Sequence, residues 1–552
     1  MHKNFFQKSI NLLLARQTNI LSAAFVIMAT VILSQVLGLI RQRLLVAIFG
    51  ASQTGLYLAS SRFPDSLFQI IIAGAISSAF IPVFSEFLGK HEEKEAHQMA
   101  SAILTIGCGV FLVLAVPFSL FAPFFLQILN VGKGFTPDQI EVMVNLTRII
   151  VAGQLVFIVG SFFAALLQSY NHFFIPGFAA ALYNLGIIVG ILFLHQTFGI
   201  YAPAYGVILG ALFFIFFQLP TVRSVGFSWR PSLSLKIRGV MDVVHLMWPR
   251  TLSNAMFQIG SILILGLISF LPESSRNYTI LDYAQTLAFA PIALFGQTIA
   301  QAAFPVLSKQ REKLTEFRTT FITSFTQVLY LVLPISMLLL VLRIPVVRLV
   351  FGAGLFSWED TVLTGKTLAF FAIAIFAQAL LYLVSRGFYA LRDAKTPLIA
   401  GSFSTLLMLV LGWFFVVKSS MGVGSIAVAY SIAGIVNLVI LMIVLDRKVG
   451  GFARMPLFLT LVKIFSATIF TGFALYIPIK LLDQLVFDTT LTINLLILTG
   501  ISSMAGLLFY LFLTWLFNVK EASIFLLVFK KIGNWKETLG LTQETIQPNR
   551  NP

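Results

Sequence analysis

Residues 34–52 read SQVLGLIRQRLLVAIFGAS, an apolar run with Arg41 and Arg43 set in its middle. The segment leading in, residues 20–39, is already about long enough to cross a bilayer, which takes ~20 apolar residues. The two arginines therefore either sit in a loop or line something charged inside a membrane protein. Two residues apart on a helix, they point roughly 200° from each other and cannot share a face. At most one lines a given cavity, unless the helix bends or breaks near Gly38.

The rest of the chain decides for a membrane protein. Its 552 residues are 58% hydrophobic and 11% charged, with 56 phenylalanines and a mean hydropathy of +0.94. No soluble domain hides that much apolar surface behind so little charge. Cys108 is the one cysteine, which rules out an internal disulfide and a thiolate metal site. The start is polar and basic, and the apolar run after it is too long for a signal core and lacks a small-residue cleavage site. It reads as a retained first span. A net charge of +16 fits basic loops on one membrane face better than nucleic-acid binding.

Fourteen apolar segments qualify as spans: 20–48, 58–86, 99–128, 140–169, 176–196, 200–220, 240–270, 280–307, 320–351, 360–390, 397–417, 424–445, 456–481 and 490–517. Pro64, Pro117, Pro249 and Pro334 inside them predict kinks rather than ends. The count places twenty-two lysines and arginines on the side of the N-terminus and four (Lys133, Arg276, Lys418, Lys480) on the other. That bias puts both termini in the cytoplasm. After the last span, EASIFLLVFKKIGNWKE reads as an amphipathic helix on the inner surface, with Lys530 and Lys531 near anionic lipid.

The first twelve spans repeat at an offset of about 220 residues. SSAFIPVFSEF (77–87) resembles QAAFPVLSKQ (301–310), NVGKGFTPDQIEV (130–142) resembles VFGAGLFSWEDTV (350–362), and Pro176 pairs with Pro397. A six-span offset preserves orientation, so the fold class is all-α and polytopic: two six-helix lobes as parallel repeats, plus two extra C-terminal helices. The expected organisation is a cytoplasmic segment 1–19, lobes 20–224 and 225–448, spans 13–14 within 449–517, and a cytoplasmic tail 518–552. Two lobes around a cavity suit alternating access.

No catalytic or cofactor signature appears, and the chain reads as a non-enzyme. LTGKT (363–367) has Asp360 where a phosphate-binding loop needs glycine, and HEEKEAH (91–97) lacks zinc-ligand spacing. What remains is charge inside the spans, which usually faces a wet cavity because a central arginine or aspartate costs about 2.5–3.5 kcal/mol to insert. These residues are Arg41, Arg43, Arg62, Asp65, Arg148, Arg250, Lys366 and Arg386. Arg62 and Asp65, three apart, share a helical face and can pair. Arg250 follows Pro249 about ten residues into span 7, a depth that favours the lumen. Arg148, Lys366 and Arg386 suit snorkelling or local pairing.

At these residues the sequence resembles the MurJ/MviN lipid II flippases. SQVLGLIRQRLLVAIFGAS with AGAISSAFIPVFSEF looks like that family's N-terminal signature, and SYNHFFIPGFAAALYN, FPVLSK and GFYALRDAKTPL resemble its later landmarks. The resemblance covers residues 20–517 and implies the multidrug/oligosaccharidyl-lipid/polysaccharide exporter fold. It implies transfer of an undecaprenyl-diphosphate-linked peptidoglycan precursor between leaflets of the bacterial inner membrane, with a lipid-tail groove at spans 13–14. The implied partners are a lipid-linked glycan, membrane lipids and cell-wall synthesis proteins. The pattern departs from the family at Gln35, Gln42, Gly55, Phe68, Gln69, Ala73 and Gln285, where arginines or acids are usual. Arg41, Arg62, Asp65 and Arg250 are the expected substrate-binding residues, since guanidinium suits phosphate geometry. Two other readings fit the same scaffold: export of another lipid-linked oligosaccharide or amphipathic compound, and a non-transporting role in cell-wall assembly.

Overall fold

A computed structural model describes residues 20–73, 79–418, 422–485 and 492–522; the side chains at 20–25, 72–73, 248–250, 252–254, 256–257, 478 and 481–485 are outside that description. The N-terminal segment and the expected amphipathic helix with Lys530 and Lys531 lie outside the described residues. So does the Arg250 side chain.

Apolar sequence this long has to satisfy its backbone internally, and helices do so. The chain runs α1 (Ile20–Phe68), a π-helical stretch (Gln69–Ala73), α2 (Ile81–Gly89), α3 (Glu93–Leu120) and α4 (Ala122–Leu129). It continues through α5 (Pro137–Ser169), α6 (Phe174–Phe198), α7 (Ala202–Ser224), α8 (Val240–Ile268) and α9 (Ser274–Pro291). A second π-helical stretch (Ile292–Gln297) leads into α10 (Thr298–Lys309), α11 (Leu314–Val341), α12 (Arg343–Phe351), α13 (Trp358–Ala372) and α14 (Ile375–Ala390). Last come α15 (Lys395–Lys418), α16 (Gly424–Lys448), α17 (Arg454–Leu485) and α18 (Thr492–Leu516). No strand occurs among the described residues.

Ten helical stretches are long and apolar enough to cross a membrane, or eleven with the pair α13–α14 bent by 44°. Two of the ten, Val26–Ile71 and Phe174–Ser224, run 46 and 51 residues, long enough for two crossings each. With α8 added, the described helices are consistent with fourteen spans. Pro64, Pro117 and Pro334 lie inside helices, as expected. The break expected at Gly38 falls elsewhere: the non-helical residue of α1 is Gly50, at φ 70° and ψ 172°. Thr54 Oγ1 then reaches back to the Leu45 carbonyl at 3.4 Å, so the chain doubles back there.

Backbone conformation carries the repeat more sharply than side chains do. Left-handed residues recur in pairs: Gly50 and Glu273, Lys133 and Gly354, Asn171 and Arg392, Gly199 and Gly422, Gly226 and Gly450. The two π-helical stretches, starting at Gln69 and Ile292, follow the same spacing. So do two capping boxes. Thr136 Oγ1 accepts from Gln139 N at 3.3 Å while Gln139 Oε1 accepts from Thr136 N at 3.1 Å. In the second copy Ser357 Oγ accepts from Asp360 N at 3.0 Å and Asp360 Oδ2 accepts from Ser357 N at 3.1 Å.

The described residues pack as two compact units, one falling within 1–283, 350–364 and 405–429, the other within 284–349, 365–404 and 430–552. In the first, α6 and α7 meet through facing glycine pairs, Gly186 and Gly190 against Gly206 and Gly210. A Cβ at Gly186 would overlap the Gly210 backbone, and one at Gly190 that of Gly206. Four-residue spacing of glycines lets two helices approach to backbone contact, the usual source of helix affinity in lipid. In the second unit, α10 and the π-helical stretch before it pack on α14, and α11 packs on α14 and α17. There Tyr510 Oη donates to the Tyr330 carbonyl at 2.9 Å, tying α18 to α11.

The landmark ALRDAKTP has a local explanation. Arg392 turns left-handed, and Asp393 then caps α15, accepting from Thr396 N at 3.0 Å and Thr396 Oγ1 at 2.7 Å. Lys448 Nζ adds a 2.6 Å contact to the same carboxylate. Partial burial pushes this carboxyl up, but the Lys448 and Thr396 hydrogen bonds outweigh it and hold it at about 2. Its contribution to stability is therefore complete above its ordinary value of 3.8 and is lost as pH falls through about 2. Thermal unfolding in detergent across pH 5 to 2 is expected to show this acid loss, and Asp393→Asn is expected to flatten it. Gly210→Ile, which drives a side chain into the Tyr183 carbonyl, is expected to lower stability by about 1–3 kcal/mol in the same assay.

Candidate substrate-binding site

The charges of the first unit meet below the turn at Gly50. Counting helical rise at ~1.5 Å per residue, Arg41 lies roughly 14 Å from that turn and Arg62 roughly 18 Å. With the turn placed at the edge of a hydrocarbon core ~30 Å thick, both distances reach near its middle. Pro64 and the π-helical stretch at Gln69–Ala73 distort the helix just beyond Arg62, which widens its turn where the charges cluster.

Arg62 does not pair with Asp65. Its Nε donates to Tyr278 Oη at 2.8 Å, and its second terminal nitrogen lies 3.6 Å from Asp282 Oδ1. The side chains of Arg62 and Asp282 keep 30% and 22% of their surface accessible, so the pair is only partly enclosed by neighbouring side chains. Asp65 is half-buried and accepts from Gln154 Nε2 of α5 at 2.6 Å. Next to it, Ser66 Oγ donates to Gln258 Oε1 of α8 at 3.2 Å. The amide oxygen of Gln154, Oε1, is buried without a hydrogen-bond partner, as is Gln42 Oε1.

Arg41 and Arg43 separate as their spacing requires. Arg43 points away from the cluster and donates to the Val350 carbonyl at 3.3 Å. Arg41 is half-buried and acts electrostatically on Tyr57, Asp65 and Asp282. It forms no hydrogen bond and no ion pair among the described residues. An arginine at this depth without a fixed counter-ion is a cation available to a ligand.

The other in-span charges have local partners or open faces. Arg148 donates to the Ser119 carbonyl at 3.2 Å, Arg386 lies 5.6 Å from the Phe304 ring centre, and Lys366 is exposed. In HEEKEAH, Glu92 accepts from Arg238 at 3.0 Å and His97 bonds the Tyr170 hydroxyl at 2.9 Å, both structural ties. Sequence reasoning missed Asp282. Its signal was present: a lone aspartate in the apolar stretch YTILDYAQTLAFA.

Phe68 and Gly55, where the resemblance leads one to expect charge, are built into the packing. Phe68 fills a core cluster with Leu67, Ile71, Phe111 and Ala115, its ring 5.1 Å from that of Phe157. Gly55 lies directly under α9, and a Cβ there would overlap the Ser275 carbonyl. Around it, Ser52 and Ser275 hydroxyls lie 3.0 Å apart, Thr279 Oγ1 donates to the Ala51 carbonyl at 2.6 Å, and Tyr283 Oη donates to the Gln42 carbonyl at 2.7 Å. Leu355 N donates to the Ala47 carbonyl at 2.9 Å on the same hairpin.

A bundle of kinked apolar helices holding a half-buried cluster of charge within its spans defines a membrane transporter. The family described as lipid II flippase MurJ matches residues 45–497, and the chain belongs to it. A probable lipid II flippase MurJ of Buchnera aphidicola subsp. Acyrthosiphon pisum is 26% identical over 513 residues, 92% of this chain and 99% of its own length. The lipid II flippase MurJ of Burkholderia cenocepacia is 26% identical over 388 residues, 69% of this chain and 75% of its own. Among solved structures, a lipid II flippase MurJ in an inward closed conformation shares the fold at TM-score 0.72 and 23% identity, covering 89% of this chain and 98% of its own. An inward-facing multidrug resistance MATE transporter shares it at TM-score 0.63 and 14% identity, covering 77% and 98%.

Gly55→Ala tests the close approach of α9. The added methyl forces the start of α9 off the hairpin. A cysteine at Gln53 in a Cys108→Ala background is then expected to react faster with a hydrophilic maleimide. An unchanged rate would show that the contact is not tight.

Proposed function

We propose that this chain moves lipid II, a polyprenyl-diphosphate glycolipid, from the inner to the outer leaflet of the bacterial cytoplasmic membrane by alternating access. The carrying observation is Arg41, a mid-span cation with no fixed counter-ion among the described residues, beside Arg62 on the same hairpin. Guanidinium groups in a low-dielectric site bind phosphate oxygens with charge-assisted hydrogen bonds. Arg250, on the neighbouring α8, is the third member of the proposed site, and Asp65 orients the cluster through Gln154. The unpaired Gln42 and Gln154 oxygens offer acceptors for the amide and hydroxyl groups of a glycan.

Both termini lie in the cytoplasm in this reading, so the Gly50 turn faces outward. The lobes are residues 20–224 and 225–448, and residues 449–517 supply spans 13–14 as a groove for the polyprenyl tail. The chain is a carrier, not an enzyme, and cell-wall synthesis proteins are its expected neighbours. One observation favours a broader substrate range: with Phe68 committed to the core, fewer cations surround the diphosphate. Other polyprenyl-diphosphate glycans then compete with lipid II.

Complementation of a flippase-depleted strain tests the reading, with lipid II binding to the purified protein as a second readout. Arg41→Ala is expected to abolish growth rescue and weaken binding at least about tenfold, the size of one charge-assisted hydrogen bond. Full rescue by Arg41→Ala and Arg250→Ala would remove this site from the mechanism.

A further inference from the structure

Five residues of α9 touch the hairpin of α1, and their spacing is that of one helical face. Ser275, Tyr278, Thr279, Asp282 and Tyr283 fall at i, i+3, i+4, i+7 and i+8. Four of the contacts are hydrogen bonds: the Ser275 hydroxyl with that of Ser52, Thr279 to Ala51, Tyr283 to Gln42, and Arg62 to Tyr278. The fifth is different. Asp282 faces Arg62 at 3.6 Å, beyond hydrogen-bond reach, and the pair is half-buried. Arg62 is thus fixed at Nε by a phenol, while its terminal nitrogens meet only a loosely held carboxylate. Those nitrogens are the ones a planar fork offers to phosphate.

We propose that Asp282 is a built-in competitor of the substrate diphosphate for Arg62, and that its displacement couples substrate binding to release of α9 from the hairpin. The proposal rests on the diphosphate reading of the site. A diphosphate carries more charge than one carboxylate and makes hydrogen bonds that Asp282 does not. It therefore takes the terminal nitrogens of Arg62 and leaves Asp282 facing an anion. Two like charges side by side in a poorly screened site repel, and Asp282 moves the only way open to it, with α9. Tyr278, four residues earlier on the same face, leaves with it. Ser275, Thr279 and Tyr283 then lose their alignment on Ser52, Ala51 and Gln42. Gly55 adds to this, since its lack of a side chain lets the hairpin meet the start of α9 by backbone contact at that position.

The proposal makes an unusual demand for a residue in a transport site. Removing its charge has to strengthen ligand binding. A structural role for Asp282 would have the opposite sign, because loss of a counter-ion leaves Arg62 unpaired and the site less ordered.

The test uses full-length protein in phosphatidylethanolamine–phosphatidylglycerol nanodiscs, with undecaprenyl diphosphate as the probe. The seam is reported by Ala51→Cys, a buried position, in a Cys108→Ala background. Asp282→Asn is expected to bind the probe about tenfold more tightly or better, as loss of one like charge close to a bound anion implies. It is also expected to raise the labelling rate of Ala51→Cys without ligand, and saturating probe does the same to the parent protein. Asp282→Glu keeps the charge and is expected to keep parental labelling, which separates charge from folding. On an Arg62→Gln background, Asp282→Asn is expected to add no affinity. Unchanged or weaker binding by Asp282→Asn, in a protein whose parent binds the probe, overturns the competition. Parental labelling in ligand-free Asp282→Asn overturns the link to the seam. A parent that binds no diphosphate overturns the proposed function instead, and the ligand-free labelling still judges the role of Asp282 in the seam.

Discussion

Everything distinctive about this molecule follows from the cost of charge inside hydrocarbon. A mid-span arginine survives only if water, a counter-ion or a ligand meets it. Arg62 is met by a phenol and a carboxylate, Arg43 by a carbonyl, and Arg41 by none of these among the described residues. The three arginines thus occupy three different electrostatic situations within one hairpin. Their spacing alone separates Arg41 from Arg43, because two residues on a helix point to nearly opposite sides. The hairpin can hold all three because Gly50 reverses the chain at one residue, bringing Arg62 to a depth close to that of Arg41.

The repeat shows what evolution preserves when side chains drift. Glycine at 199 and 422 is retained, yet Lys133 answers Gly354 and Arg392 answers Asn171, all at positive φ. A non-glycine residue there carries a strain, and at two of these positions a side-chain helix cap follows that offsets it. Thr136 does so beyond Lys133, and Asp393 does so beyond Arg392. The duplicated π-helical stretches obey the same logic. A wide turn is a costly local choice, and its recurrence ahead of both Pro82 and Pro305 ties it to the architecture and not to one accident of sequence.

Much of this was legible beforehand. Hydropathy and loop charge are one-dimensional properties, so the spans, their kinks and the duplication could be read from composition along the chain. Arg41 could be placed because helix periodicity is local. The site itself was less legible. Arg62 and Asp65 share a helical face, and local reasoning pairs them, but both find partners on other helices, Tyr278 and Asp282 on α9 and Gln154 on α5. Such choices depend on which helix lies closest, a tertiary fact. Gly55 illustrates the same gap. In sequence it is a missing aspartate; in space it is the only residue type that fits beneath the Ser275 carbonyl. Phe68 likewise reads as a lost cation and turns out to be core.

These substitutions are connected. A site with fewer arginines holds a bound diphosphate less strongly, and weak holding suits a carrier that has to let go on the far side. With Phe68 in the core, position 68 adds no attraction to the proposed site, and in the proposed competition Asp282 opposes it. An acid facing the cation lowers the affinity of the empty site and raises the gain when the acid is displaced. Binding energy is then drawn into a change of structure instead of a deep well for the substrate, which is how a transporter turns recognition into movement. In that light the reduced basic set marks a different division of labour between attraction and release. In the proposed mechanism the same chemistry is served by fewer cations and one opposing charge.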